Sequence, residues 1–172
     1  MKAQRGGVKI RISQLSNGIH KYHFTPPASE IGLDSRFPKN VTVDATLDKN
    51  GGQMVLSAEV AASALFECDR CIGEFKREIA GRYKAAYVTE KGGDARGENE
   101  EPRALPPDAY EIDLTSDIRE VLMLSVPIKL LCKENCRGLC PHCGVNLNER
   151  TCSCKVEITD TRWESLRKLY ER

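Results

Sequence analysis

The sequence predicts an α+β protein: an antiparallel, β-rich main domain, barrel-like in arrangement, with one helix and a small zinc-bound C-terminal lobe. Three observations predict it. Before residue 90, several segments alternate apolar and polar residues at the two-residue period of a half-buried strand. A single run after residue 115 carries apolar side chains at helical spacing. Eight cysteines fall in four close pairs between positions 68 and 154.

Val8-Lys9-Ile10-Arg11-Ile12 alternates apolar with basic residues, and Ile19 to Phe24 is rich in β-favouring side chains. This pattern predicts two short strands joined by a turn at Asn17-Gly18, a region that Pro26-Pro27 closes. Val41 to Leu47 alternates strongly, Asn50-Gly51-Gly52 supplies residues tolerant of positive φ, and Met54 to Phe66 resumes an extended apolar pattern. That is a hairpin feeding Cys68. Glu74 to Val88 reads as another long strand, although its alanines and lysines also permit a helix. Residues 1–89 thus form a β-rich region holding the first cysteine pair.

Residues 90–108 change character. Gly92-Gly93, Gly97, the run Glu98-Asn99-Glu100-Glu101 and three prolines leave little to pack, which predicts a flexible acidic linker. Residues 109–172 form the last region. Tyr110 to Leu114 suits a strand, and Thr115-Ser116-Asp117 offers helix-cap oxygens, with Asp117 and Glu120 placing negative charge in the first turn. Ile118, Val121, Leu122 and Ser125 share one helical face, and the helix must stop before Pro127. Thr161 with Glu164 makes a capping box for a short final helix that buries Trp163, Leu166 and Tyr170.

A chain of 172 residues can bury a hydrophobic core of its own, so metal supplements that core and does not replace it. The 26 basic and 25 acidic side chains give no bulk charge that would mark a nucleic-acid or membrane protein. Eight ligating thiolates and two divalent ions would take the formal charge from +1 to about −3. Any RNA contact therefore needs local basic patches. No apolar run suits a secretion signal or a membrane span, which predicts a cytoplasmic protein. In that reducing compartment, closely paired cysteines read as metal ligands and not as disulfides.

The pairs are Cys68 and Cys71, Cys132 and Cys136, Cys140 and Cys143, and Cys152 and Cys154. Each short loop fixes two sulfurs a metal's width apart, and a second pair completes the tetrahedral thiolate shell that zinc prefers. Cys68-Asp-Arg-Cys71-Ile-Gly73 and Cys140-Pro-His-Cys143-Gly144 both have the form of zinc knuckles, with a glycine for the tight turn behind the second cysteine. Loop closure favours joining Cys140 and Cys143 to the nearby Cys152 and Cys154 as a second set, leaving Cys68, Cys71, Cys132 and Cys136 as the first. Two zinc ions are expected. Iron also accepts four thiolates, but nothing in the sequence calls for redox chemistry. Arg70, Lys133 and Arg137 lie beside ligands and would offset thiolate charge.

No catalytic constellation accompanies the cysteines, so the chain is expected not to be an enzyme and to take no small-molecule substrate. Cys136, Cys140 and Cys143 match the spacing of radical enzymes that hold an iron–sulfur cluster, yet only 29 residues follow Cys143, too few for the barrel such enzymes need. His20 and His23 point to opposite sides of a strand without a neighbouring nucleophile, and His142 sits inside a knuckle as a solvent-facing residue. Four thiolates leave zinc no open position for water. A redox-sensing thiol switch is the alternative, because oxidation of Cys152-Ser-Cys154 beside a CxxC pair would eject the metal.

Five motifs stand out: Cys68-Asp-Arg-Cys71, the stretch from Ile112-Asp-Leu to Leu124-Ser-Val-Pro127, the run from Leu131 to Asn148, Cys152-Ser-Cys154 and Asp160-Thr-Arg162. Together they resemble the YceD-like family, named for accumulation of large-subunit ribosomal RNA. The resemblance extends from about Ala58 to Leu169. It implies a non-catalytic factor in ribosome biogenesis, acting through large-subunit ribosomal RNA or a ribosomal protein. Lys129, Lys133, Arg137, Arg150 and Lys155 around the second cysteine set, and Lys2, Arg5, Lys9 and Arg11 in an acid-free N-terminal arm, are the candidate phosphate contacts.

Overall fold

The computed structural model describes residues 7–89 and 102–154. Lys2, Arg5, most of the acidic linker, Lys155 and the expected final helix from Thr161 lie outside the described residues. Among the described residues, seven strands and one helix follow in order: β1 (Lys9–Arg11), β2 (Gly18–Phe24), β3 (Thr42–Asn50), β4 (Gln53–Glu67), β5 (Glu74–Thr89), β6 (Arg103–Leu105), β7 (Glu111–Asp113) and α1 (Thr115–Leu124).

The main sheet has the order β2-β3-β4-β5-β6. Its first four strands are antiparallel neighbours, and β6 runs parallel to the end of β5. Gly51 and Gly52 make the two-residue turn between β3 and β4, and Gly51 takes φ +59° there, a conformation that glycine adopts without penalty. Glu74–Thr89 is a strand and not the helix that its alanines and lysines also allow. Pairing with β4 along its whole length overrides that local propensity.

The sheet is open, which corrects the barrel-like expectation. Strands β2 and β6 are its two edges and do not pair with each other. The physical reason is that other elements, and not the sheet curling on itself, cover the apolar face: Val43, Ala45 and Leu47 of β3 and Leu56, Ala58 and Val60 of β4 are buried there, while Asp44, Asp48 and Glu59 stand exposed on the opposite face. A sheet with one apolar and one polar face needs a cover on one side only.

That cover comes from three places: α1, the segment carrying Ile31, Leu33 and Phe37, and a small ladder of β1 on β7 that buries Ile10 and Ile112. β1 pairs with β7 and not with β2, so the first two strands share a connection but no hydrogen bonds. Helix α1 buries Ile118 and Leu122 completely. It crosses β5 at Gly81, where a Cβ atom would collide with Val121 Cγ1 and stand 2.5 Å from Ser125 Oγ.

The helix start also departs from the expected cap. The backbone N–H of Thr115 is bound by Asp113 Oδ1 at 2.9 Å, while the Thr115 hydroxyl accepts from the N–H of Val8 at 3.0 Å. Asp117 is buried and accepts from Arg103 Nη1 at 2.7 Å. Composition extends the acidic linker through residue 108, but its end is ordered: Arg103–Leu105 adds β6 to the sheet, and Arg103 reaches the helix. A buried carboxylate needs a charged partner, and no local pattern announces which residue supplies it.

Candidate metal centres

Strands β4 and β5 are the longest among the described residues, and the loop joining them is the first knuckle. Cys68 follows Glu67 directly, Gly73 precedes Glu74, and those two glutamates are the last paired residues of the hairpin. The loop is closed by two backbone hydrogen bonds, from Cys68 N–H to the carbonyl of Gly73 at 3.0 Å and from Ile72 N–H to the carbonyl of Cys68 at 2.9 Å. The second knuckle repeats the pattern, with Cys140 N–H on Val145 and Gly144 N–H on Cys140, both at 2.9 Å. In each, the residue directly behind the second cysteine turns left-handed. It is Gly144 at φ +70° in one and Ile72 at φ +58° in the other, so Gly73 does not make the turn that the sequence pattern assigns to it.

Two groups of four cysteines result: Cys68, Cys71, Cys132 and Cys136, and separately Cys140, Cys143, Cys152 and Cys154. Within each group the sulfurs all lie within 4.8 Å of one another. In the first, Cys68 Sγ stands 3.8 Å from Cys136 Sγ, and Cys71 Sγ 3.7 Å from Cys132 Sγ. A tetrahedral zinc with Zn–S bonds of about 2.3 Å requires sulfurs about 3.8 Å apart. The donor set and its spacing therefore suit a four-coordinate thiolate metal.

Hydrogen bonds aim at the sulfurs. Burial opposes ionisation of Cys68, but the backbone N–H groups of Cys132, Arg70 and Cys71 hold its pKa at about 6. The N–H groups of Cys143 and His142 likewise bring Cys140 to about 6. Burial and the neighbouring thiols push Cys132 up to about 12, and the contact with Cys143, then burial, takes Cys154 to about 12. In the first group Cys68 and Cys136 are drawn below the usual thiol range while Cys71 and Cys132 are held above it, and in the second Cys140 is drawn down while Cys152 and Cys154 are held up, so all four sulfurs of a group ionise together only when a cation offsets their charge.

The two residues inside the first knuckle tie distant chain together. Asp69 N–H binds the Leu130 carbonyl at 2.8 Å, and its carboxylate accepts from Leu130 N–H at 2.6 Å. Arg70 Nη1 donates to the Cys136 carbonyl at 2.8 Å, and the Arg70 carbonyl accepts from Leu139 N–H at 3.0 Å. The guanidinium expected to offset thiolate charge is thus directed at a backbone oxygen beside a ligand. Gly138, at φ +76°, lies so close that a Cβ atom would come within 2.9 Å of the Arg70 carbonyl oxygen.

Of the basic residues expected to meet phosphate, Lys129, Lys133, Arg137 and Arg150 are exposed and form no ion pair among the described residues. Lys133 lies between two ligands of the first group and Lys129 just ahead of them, so only Arg150 belongs to the loop of the second. Lys9 is committed elsewhere, paired with Glu111. His20 binds the Ser16 carbonyl, His23 pairs with Asp44 at 2.7 Å, and His142 is exposed between the two cysteines of the second knuckle. Sequence reading missed Asn148, whose amide nitrogen stands 3.3 Å from Cys136 Sγ.

The family described as large ribosomal RNA subunit accumulation protein YceD matches residues 56–170, a stretch that runs from β4 onward and includes all eight cysteines. The chain belongs to this family. Among similar proteins, the chloroplastic large ribosomal RNA subunit accumulation protein YCED homolog 1 of Arabidopsis thaliana is 38% identical over 68 residues, 40% of this chain and 21% of that protein. Its Zea mays counterpart is 26% identical over 151 residues, 72% of this chain and 51% of that protein. An uncharacterised Mycobacterium tuberculosis protein is 28% identical over 126 residues, 72% of this chain and 59% of its own length. The chain thus spans well under two thirds of these relatives. No solved structure matches it. Among the described residues no helix is long and apolar enough to cross a membrane.

Proposed function

We propose that this YceD-family chain is a non-catalytic, cytoplasmic zinc protein that supports accumulation of large-subunit ribosomal RNA during ribosome assembly. One observation carries the reading: the stretch matched to a family named for that role contains both four-cysteine groups. Each group would hold one zinc ion. With four thiolates apiece the metals keep no open position, so their work is to fix structure. The partner is large-subunit ribosomal RNA or a ribosomal protein bound to it. RNA is favoured by Lys129, Lys133, Arg137 and Arg150 beside the metal groups, exposed and without an ion pair among the described residues.

Depleting the protein in cells is expected to lower large-subunit relative to small-subunit ribosomal RNA; an unchanged ratio sinks the role. Metal analysis of protein purified under reducing conditions should return two zinc ions per chain. Direct RNA binding should weaken steeply with salt, whereas binding indifferent to ionic strength points to a protein partner.

Exposure of Cys143 in the second group favours one further reading, a redox-sensing thiol switch. Zinc release by low peroxide, reversed by a thiol reductant, is its expected signature.

A further inference from the structure

The two cysteine groups are three residues apart in sequence, since Cys136 closes the first and Cys140 opens the second. The chain between them does not run alone. Leu139 bridges Asn146 in antiparallel fashion, Leu147 N–H binds the Gly138 carbonyl at 2.9 Å, and Cys140 N–H binds the Val145 carbonyl at 2.9 Å. Residues 145–148 belong to the loop between Cys143 and Cys152, whose two ends are fixed by ligands of the second group. That loop delivers Asn148 to the first group.

The Asn148 amide has its orientation set on both sides. Its Oδ1 accepts from Arg137 N–H at 3.0 Å, which leaves Nδ2 to donate to Cys136 Sγ at 3.3 Å and to Asn146 Oδ1 at 2.9 Å. Asn146 is fixed in turn, because its Oδ1 also accepts from Asn148 N–H and its Nδ2 donates to Glu149. Among the described residues, Asn148 is the side chain other than cysteine that donates to a sulfur of the first group. A donor to a thiolate ligand withdraws charge from it and holds it in place for the metal.

We infer that Asn148 couples the two metal centres: filling the second group orders the loop that presents the amide, and so strengthens metal binding at the first. This rests on the zinc reading above. It makes loading cooperative, with Asn148 a positioning residue that touches no metal itself.

The test uses the full chain, stripped of metal under reducing conditions and titrated with zinc while native mass spectrometry counts ions per molecule. Cooperative loading gives mainly empty and two-zinc molecules at half saturation. Asn148→Ala should lower zinc affinity at the first group about 10- to 100-fold, leave unchanged the affinity of the second group in molecules whose first group is empty, and by reciprocity let one-zinc molecules accumulate at half saturation. Removing the second group with Cys152→Ser and Cys154→Ser should weaken the first to a similar extent, and adding Asn148→Ala to that variant should cost nothing more. Thr151→Ala, at an exposed position of the same loop, is expected to change neither affinity. Hydrogen exchange across β3 and β4 checks that the sheet stays folded in each variant. Two zinc ions binding independently, or additive losses in the combined variant, overturn the coupling. Fewer than two ions in the unaltered chain overturns the zinc reading instead.

Discussion

At the scale of single residues, the two knuckles are one backbone design written with two different residues at its left-handed position. A glycine costs nothing sterically at positive φ, whereas a β-branched side chain there is disfavoured by about 1–2 kcal/mol. Ile72 carries that cost at φ +58°, and its side chain is 59% exposed, so little burial compensates it. Gly144 avoids the cost, and a Cβ atom placed on it would meet nothing within 4 Å. Open space at Gly144 isolates the backbone contribution from any clash. Gly144→Ala is therefore expected to weaken zinc binding at the second group by roughly tenfold, the equivalent of about 1.4 kcal/mol. Ile72→Gly should leave binding at the first group unchanged or tighter, since relief of strain outweighs the roughly 0.5–1 kcal/mol that glycine's chain freedom costs. Competition against a chromophoric chelator measures both. A loss on Ile72→Gly would mean that the side chain, not the backbone, holds that turn.

Among the elements, the contact that fixes the helix on the sheet is the crossing of α1 over β5 at Gly81. Val121 has one favoured rotamer in a helix, and the Ser125 hydroxyl is held by the Val121 carbonyl at 2.7 Å, so neither side chain yields freely. Gly81→Ala should destabilise the protein by about 1–3 kcal/mol through overpacking, read as a lower denaturant midpoint at unchanged slope. Val121→Ala in the same chain should restore part of that loss, and no rescue would place the strain elsewhere. How legible each element is in the sequence follows from where its partner lies. Asn50-Gly51-Gly52 between two alternating runs announces the β3–β4 hairpin because all its determinants are local. The pairing of Lys9–Arg11 with Glu111–Asp113 joins three-residue strands about a hundred positions apart, and no local pattern records it. Arg103 reads as part of a charged linker for the same reason, since its buried partner Asp117 lies on the helix, beyond two further prolines and β7. The cysteine groups are legible because ligand spacing is local within each pair. Asn148 is not, because an amide that donates to a thiolate has no spacing rule.

For the whole molecule, the apolar core and the metal groups are separate sources of order. The buried cluster from Val8 to Leu122 contains no cysteine, whereas Cys68, Cys71 and Cys136 form a small cluster beside Leu131 and Leu139 that meets the main core through Phe75, packed against both. From Leu130 to Cys154 the described chain contains no strand or helix, and what holds it is the two cysteine groups with the hydrogen bonds around Asp69, Arg70 and Asn148. Loss of metal leaves clustered thiols whose burial and mutual repulsion disfavour the shared ionised state. Chelation under reducing conditions is therefore expected to release residues 130–154 while the sheet and α1 stay folded. Limited proteolysis should then cut at Lys133, Arg137 and Arg150 in the stripped protein and spare them in the loaded one, with the β-sheet signal in circular dichroism preserved. Cys140→Ser should expose Arg150 to the protease first and Lys133 less, because Lys133 sits between ligands of the other group. Global loss of the β signal on chelation would show instead that the hairpin end at Glu67 and Glu74 depends on its metal clasp, and that the core from Val8 to Leu122 does not stand without it.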